Sequence, residues 1–150
     1  MNFQERTNSR IIAMMALYAY EINKESDLEK TINVVKENYN LNLRDQDEEI
    51  KYDEKFLKEI TLGTIDKINY LDYVISLVLE KYTIDALSYV DRNILRLGAY
   101  EILYMHNPKQ VVINEFVNVA KVYSEIEGFN ASKFDNAILD KIANGNFKEE

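Results

Sequence analysis

Few residues in this chain combine the side-chain type and the setting that acid–base chemistry requires. His106 is the only histidine and lies beside Pro108, at the end of a helical pattern. Glu101 and Glu115 fall on strongly apolar helical segments, where a carboxylate needs a partner and a raised pKa would make it a general base. No second catalytic group, Gly-rich phosphate loop, nucleophile elbow or zinc-type ligand cluster accompanies them. The sequence therefore predicts structural roles for these residues and no enzyme activity, cofactor or metal.

A second set of residues has the chemistry of anion and ring binding. Arg6 and Arg10 are one turn apart and share a face of the first helical segment. Lys133 and Phe134 begin the last segment, so an ammonium, an aromatic ring and the free amides of a helix N-terminus could meet at one nucleotide. The alternatives are two surface arginines without a ligand and a Phe134 that anchors the core. The residues alone leave these alternatives open.

The elements that position these residues are helices. Nearly every segment has a period near 3.6, and only four glycines and one proline interrupt the 150 residues. Residues 90–121 contain two helices that are apolar on more than one side, as in the centre of a bundle. Gly98 in the first of them predicts a close approach by a neighbouring helix. The sequence predicts an all-α bundle of about seven helices in a single domain spanning residues 1–150.

Capping and breaking signals predict where these helices begin and end. The predicted N-caps are Ser26, Ser88 and Ser132, each followed three residues later by an acid. The predicted breaks are the junction of Asn69 and Tyr70, Asn107-Pro108, Gly128 and Gly145. The acidic run of Asp45, Asp47, Glu48 and Glu49 lacks the alternation and central glycine of a calcium loop, so we interpret it as a solvated helix entry.

Charge and composition limit the kinds of partner that the chain is expected to bind. The net charge is −8, and half of that excess lies between residues 24 and 59. This balance argues against a generic nucleic-acid binder, and it serves either solubility or attraction to a basic partner. The chain has no cysteine, no apolar run of transmembrane length and no signal peptide. We therefore expect a cytoplasmic protein with no membrane partner.

Several stretches of the chain carry a family resemblance. RTNSRIIAMMALY, DRNILRLGAYEILY, VVINEFVNVAK and KFDNAILDKI occur in this order, and together they resemble the NusB family of transcription antitermination factors. The resemblance extends from the first helix to Ile142. It implies an all-α protein that binds the single-stranded boxA element of ribosomal RNA together with NusE, a small-subunit ribosomal protein. It also implies a place in the transcription elongation complex, and some relatives form homodimers.

The resemblance also implies two surfaces. The RNA face would be formed by Arg6, Arg10, Arg96, Lys109, Lys133, Phe134 and Asn136. The contact with NusE would be formed by Tyr18, Glu21, Ile22 and Asp91. This chain departs from the family pattern in having two arginines where the family has an arginine-rich stretch. It also has Asp135 where an apolar residue is usual, and an outward carboxylate there would repel phosphate.

Two alternative functions compete with this prediction. The thinned arginine motif is consistent with a protein-only adaptor that has lost most RNA affinity, which RNA titration with and without NusE would reveal. NusB-like domains also occur as RNA-binding modules of ribosomal RNA methyltransferases. The absence of a Gly-rich cofactor loop predicts that a test for methyl transfer is negative.

Overall fold

Seven α-helices form the part of the chain that the computed structural model describes, residues 3–24, 27–42 and 50–147. The helices are α1 (Phe3–Ile22), α2 (Leu28–Asn42), α3 (Glu54–Asp66), α4 (Ile68–Val78), α5 (Tyr89–Tyr104), α6 (Lys109–Tyr123) and α7 (Ala131–Asn144). A short 3-10 turn, Ile84–Ala86, precedes α5, and the described residues form one isolated β-bridge, Ile126 with Phe129. This architecture confirms the predicted all-α fold class. Within the same ranges, no helix is long and apolar enough to span a bilayer.

The chain divides into two compact units, residues 1–61 and 62–150. In the first unit, α1 packs against α2. The buried apolar side chains of this unit include Ile12, Ala16, Leu17, Ile32, Tyr39, Phe56 and Leu57. The prediction that all 150 residues form a single domain stays a prediction.

Helix α5 is central to the second unit, where it packs against α4, α6 and α7. Its apolar residues Ile94, Leu95, Leu97 and Ile102 are buried, as the helical period predicts. A Cβ atom at Gly98 would lie 2.7 Å from a methyl carbon of Leu139 on α7, a distance that packed carbon atoms do not reach. The close approach predicted at Gly98 is confirmed, and α7 is the neighbour.

One of the three predicted N-caps is confirmed. Ser88 caps α5, since its hydroxyl oxygen accepts a hydrogen bond from the amide of Asp91 at 3.0 Å. The prediction for Ser132 is wrong, because Asn130 caps α7 by accepting from the amide of Lys133. Ser26 lies outside the described residues, and Asp27 accepts from the amide of Glu29 at 2.9 Å. The acidic run at residues 45–49 also lies outside the described residues.

Three of the predicted breaks lie a few residues beyond the observed ends of the helices. The third helix ends at Asp66, ahead of the predicted junction at residues 69–70. Helix α5 ends at Tyr104, and His106 then adopts a left-handed φ of 57° before Pro108. Helix α6 ends at Tyr123, so Gly128, with φ 86°, serves the following turn. The predicted end of the last helix at Gly145 is confirmed.

Candidate nucleic-acid interface

Three aromatic rings form a partly exposed cluster at the start of α7. The ring of Phe134 lies 6.0 Å from that of Tyr82 in an edge-to-face arrangement and 5.7 Å from that of Phe129. Tyr82 is 47% exposed and Phe129 is 37% exposed, while Phe134 is half-buried between them. We call Tyr82, Phe129 and Phe134 the aromatic cluster. Edge-to-face packing holds such rings in place and leaves part of their faces open to a planar ligand.

The local sequence explains why two of these rings meet. With Asn130 as the N-cap of α7, Phe129 occupies the position before the cap and Phe134 the fourth helical position. Apolar side chains at these two positions pack together as a hydrophobic staple, which fixes the direction in which the chain enters the helix. The sequence analysis missed Phe129 because it placed the cap at Ser132. Tyr82 follows α4, and no local spacing signal connects it to α7.

The amides at the start of α7 already have acceptors within the chain. The carboxylate of Glu125 accepts from the amide of Ser132 at 2.9 Å, and the side chain of Asn130 accepts from the amide of Lys133 at 3.0 Å. Hydrogen bonds from the hydroxyl and the amide of Ser132 lower the pKa of the Glu125 carboxyl. The expectation that free amides contact a nucleotide is therefore not supported at Ser132 and Lys133. The rings and the cationic side chains are the remaining groups that a ligand at this site could contact.

Two polar candidates next to the aromatic cluster are open to solvent. Lys133 and Asn136 are both exposed on the first two turns of α7. An ammonium beside an open ring is the combination that binds a stacked base and its phosphate. The half-burial of Phe134 means that the ring serves the core on one side and remains accessible on the other.

Asp135 does not weaken this site, because its carboxyl is fully buried. The pKa of Asp135 is raised from 3.8 to about 10 by desolvation, the largest cause, together with the interaction with Asp91 and the negative charges of Asp91 and Glu125. The expected repulsion of phosphate by an outward carboxylate at this position is therefore wrong. Asp91 is itself only 3% exposed and accepts hydrogen bonds from the hydroxyls of Ser88 and Ser124. Its burial does not support the predicted contact with a protein partner.

The arginines of α1 behave differently from the residues of α7. The guanidinium of Arg6 lies 4.3 Å from the centre of the Phe56 ring, and that of Arg10 lies 5.0 Å from the same ring. Arg10 is only 2% exposed, and Arg6 is half-buried. The shared face predicted for the two arginines is observed, but it packs on Phe56 of α3. Arg10 is therefore a structural cation in this unit, and Arg6 retains partial access to solvent.

Two further predicted RNA contacts are engaged in the fold. The guanidinium of Arg96 is buried and pairs with both carboxylate oxygens of Asp72 at 2.7 and 2.9 Å. The ammonium of Lys109 donates to the carbonyl of Ala143 at 2.8 Å, where a cation suits the C-terminal end of α7. Ten residues of helix separate Ala143 from Lys133, which is about 15 Å. The geometry does not support an RNA role for Arg96 or for Lys109 at the same nucleotide.

On α1, the candidates for a protein contact lie near its C-terminal end. Tyr18 is 37% exposed and Ile22 is 59% exposed, and they are one helical turn apart. Glu21 is half-exposed beside them. The alternative in which Tyr18 only completes the core is not supported by this exposure. These residues form a small apolar and acidic surface.

The residues first considered for acid–base chemistry have structural settings. Glu101 is fully buried and accepts a hydrogen bond from the side-chain amide of Asn107 at 3.0 Å. This bond joins the end of α5 to the segment that enters α6. His106 is exposed and occupies the left-handed turn between the two helices. Glu115 is buried on α6.

Comparisons with known proteins agree with the resemblance seen in the sequence. A model of the NusB family matches residues 7–144. The chain is 35% identical over 144 residues to the transcription antitermination protein NusB of Thermodesulfovibrio yellowstonii, covering 93% of this chain and 91% of that protein. It is 36% identical over 146 residues to NusB of Ruminiclostridium cellulolyticum, covering 97% and 92%.

Solved structures lead to the same family. NusB of T. maritima superposes with a TM-score of 0.73 at 33% identity, covering 92% of this chain and 89% of that one. A chain from a complex of the antitermination factors NusB and NusE with double-stranded RNA gives a TM-score of 0.76 at 26% identity, covering 95% and 98%. The sequence matches and the shared arrangement of helices together show that this chain belongs to the NusB family.

Proposed function

We propose that this protein is an antitermination factor that binds boxA-type single-stranded RNA together with NusE. The observation that carries the proposal is the aromatic cluster, whose partly exposed rings lie at the start of α7, where Lys133 is also exposed. Unpaired RNA bases bind by stacking on such rings, while cations follow the phosphates. The complex of a related NusB with NusE and double-stranded RNA supports NusE as the protein partner and RNA as the class of nucleic acid.

The RNA contact that we propose is smaller than the one predicted from sequence. It consists of Phe134 and Tyr82 as stacking surfaces, Lys133 as a phosphate contact and Asn136 as a hydrogen-bonding group. Phe129 supports Phe134 through the staple. In the first unit, Arg6 is partly exposed on α1 and is a separate candidate for a phosphate contact.

The contact with NusE involves Tyr18, Glu21 and Ile22. An exposed aromatic and aliphatic pair supplies the apolar centre of an interface, and a nearby carboxylate suits a basic ribosomal protein. The net charge of −8 favours encounter with such a partner and disfavours RNA binding by this chain alone. Each surface is weak, and the joint complex gains affinity because the RNA contacts both proteins.

A titration of a fluorescently labelled boxA oligonucleotide, with and without purified NusE, tests the proposal. We expect weak binding by this protein alone and a gain of about 100-fold or more when NusE is present. Tyr18→Ala combined with Ile22→Ala should remove that gain and leave the weak binding to RNA unchanged. A scrambled oligonucleotide bound equally well in the presence of NusE would contradict a boxA-specific function.

A protein-only adaptor is the second candidate, and the burial of Arg10 favours it. In that case the protein binds NusE through α1 and contributes no RNA contact. One measurement distinguishes the antitermination factor that contacts RNA from the protein-only adaptor. If Phe134→Ala leaves the affinity of the complex with NusE for RNA unchanged, the adaptor is correct.

The remaining features of the function follow from this proposal. We infer that the protein is not an enzyme, that it acts in the cytoplasm and that it joins a transcription elongation complex on ribosomal RNA operons. Self-association is also part of the proposal, because some members of the family form homodimers. Measuring the molecular mass of the protein in solution, alone and with RNA, tests self-association. A dimer that RNA dissociates would indicate that the dimer contact and the RNA contact share one surface.

A further inference from the structure

Two buried acids meet where α5 and α7 begin. Asp135 is fully buried in the first turns of α7, and Asp91 is 3% exposed in the first turn of α5. The Asp91 carboxyl accepts from the hydroxyl of Ser88, the N-cap of α5, at 2.8 Å, and from the hydroxyl of Ser124, the residue that ends α6. These bonds join the start of α5 to the end of α6, and the Asp91 carboxyl also interacts with Asp135 at the start of α7.

Among the described residues, no hydrogen-bond donor or positive charge stabilises an ionised carboxylate at Asp135. The charged groups that act on it are Asp91 on α5 and Glu125 in the connection after α6, and both are acidic. Two ionised carboxylates have only acceptors, so they form a hydrogen bond only when one of them holds a proton. Asp91 has two hydroxyl donors of its own, and the proton therefore belongs to Asp135.

We propose that Asp135 is a positioning residue whose buried, protonated carboxyl donates a hydrogen bond to Asp91 and so fixes the first turn of α7 against the start of α5. Lys133 and Phe134 precede Asp135 directly, and the hydrogen bond holds the turn that presents them. The positioning role depends on the proposed RNA contact, whereas the presence of the proton does not. An unprotonated Asp135 would place two negative charges together in the core, which costs far more than one hydrogen bond contributes.

The proton makes a distinct prediction about stability and pH. The pKa of Asp135 is raised from 3.8 in the unfolded chain to about 10 in the folded one. The stabilisation by this proton is therefore complete below about pH 4 and is lost as the pH rises towards 10. Between these limits the folded state holds one more proton than the unfolded state. The folding equilibrium constant then falls about tenfold for each pH unit on account of this group alone.

Asp135→Asn isolates this effect, because an amide has the same shape, donates to Asp91 and does not titrate. We expect the ratio of the wild-type folding constant to that of Asp135→Asn, from urea unfolding at pH 5 to 9, to fall about tenfold per pH unit. Asp140→Asn is the matched control, since Asp140 is exposed on the same helix and the substitution makes the same exchange of a carboxyl for an amide. A ratio for Asp135→Asn that stays constant with pH would overturn the proton assignment.

An infrared measurement tests the proton without unfolding the protein. At pH 7 the wild-type spectrum should contain the carbonyl band of a protonated carboxylic acid, and Asp135→Asn should lack it.

RNA titration in the presence of NusE tests the positioning role. Asp135→Ala should weaken binding about fivefold or more, and Asp135→Asn should restore most of the loss. Equal affinities of these two variants would overturn the positioning role, and no RNA binding by the wild type would instead contradict the proposed function.

Discussion

The start of α1 and the start of α7 have similar motifs in the sequence and opposite environments in the structure. Both were predicted to present cationic or aromatic side chains to RNA. In the first unit Arg10 is 2% exposed and lies on the ring of Phe56. In the second unit Phe134 is half-buried among partly exposed rings, and Lys133 is open to solvent. The motif at the start of α1 carries more charge than that at the start of α7, yet its Arg10 serves packing within the fold.

The difference lies in what each element offers as a partner. Helix α3 places an aromatic ring against the arginine face, and a guanidinium gains both packing and a cation–π contact there. At the start of α7, Phe129 and Phe134 pack on each other as a staple, and both side chains remain partly exposed. A short motif therefore predicts which side chains share a face, while the neighbouring element decides whether that face is exposed.

The largest effect that separates the two regions is expected for Phe134→Ala. Loss of one base-stacking ring costs about 1–3 kcal/mol of binding, so RNA affinity in the presence of NusE should fall about 5- to 150-fold. Phe134→Leu is the matched variant, because it keeps an apolar side chain under Phe129 and removes the flat ring. A Phe134→Leu variant that binds RNA like the wild type would show that the ring serves packing alone.

Arg10→Ala tests the other region. Its removal takes away a buried cation–π contact and the packing of the side-chain stem, and we expect a loss of about 1–2 kcal/mol of folding stability. RNA affinity at a temperature where the variant is folded should change less than twofold. Urea unfolding and RNA titration together check this result. If the affinity falls strongly while the stability is unchanged, Arg10 is an RNA contact and the comparison between the two regions fails.

The sequence predicted the fold class, the central helices and one helix cap because these depend on local period and local hydrogen bonds. The stripe of Ile94, Leu97 and Ile102 and the capping of α5 by Ser88 are examples. The burial of Asp91 and Asp135 could not be predicted, since it depends on three helix ends meeting in space. The position of Tyr82 beside Phe134 was likewise set by the tertiary fold, as the two residues are distant in the chain.

Tyr82→Ala tests whether Tyr82 belongs to the stacking surface, and its expected effect is smaller than that of Phe134→Ala. Tyr82 is 47% exposed, so its removal should cost little stability and about 1 kcal/mol of RNA binding, which is about fivefold. Tyr82→Phe keeps the ring and should bind nearly as the wild type does. Tyr73 is 58% exposed on α4 outside the aromatic cluster, and Tyr73→Ala is therefore the control for loss of a surface tyrosine. Equal losses from Tyr82→Ala and Tyr73→Ala would remove Tyr82 from the site.

The smallest expected effect is a change in salt dependence. For single-stranded RNA the slope of log affinity against log salt is about −0.7 for each phosphate contact. Lys133 and Arg6, taken as one phosphate contact in each unit, give about −1.4, whereas about four contacts among the five cations predicted from sequence would give about −3. Lys133→Ala should reduce the magnitude of the slope by about 0.7 at unchanged stability. Lys109→Ala should leave the slope unchanged and lower the folding stability, because the Lys109 ammonium donates a hydrogen bond to the end of α7. A slope that responds equally to both substitutions would mean that Lys109, at the other end of α7, also contacts RNA.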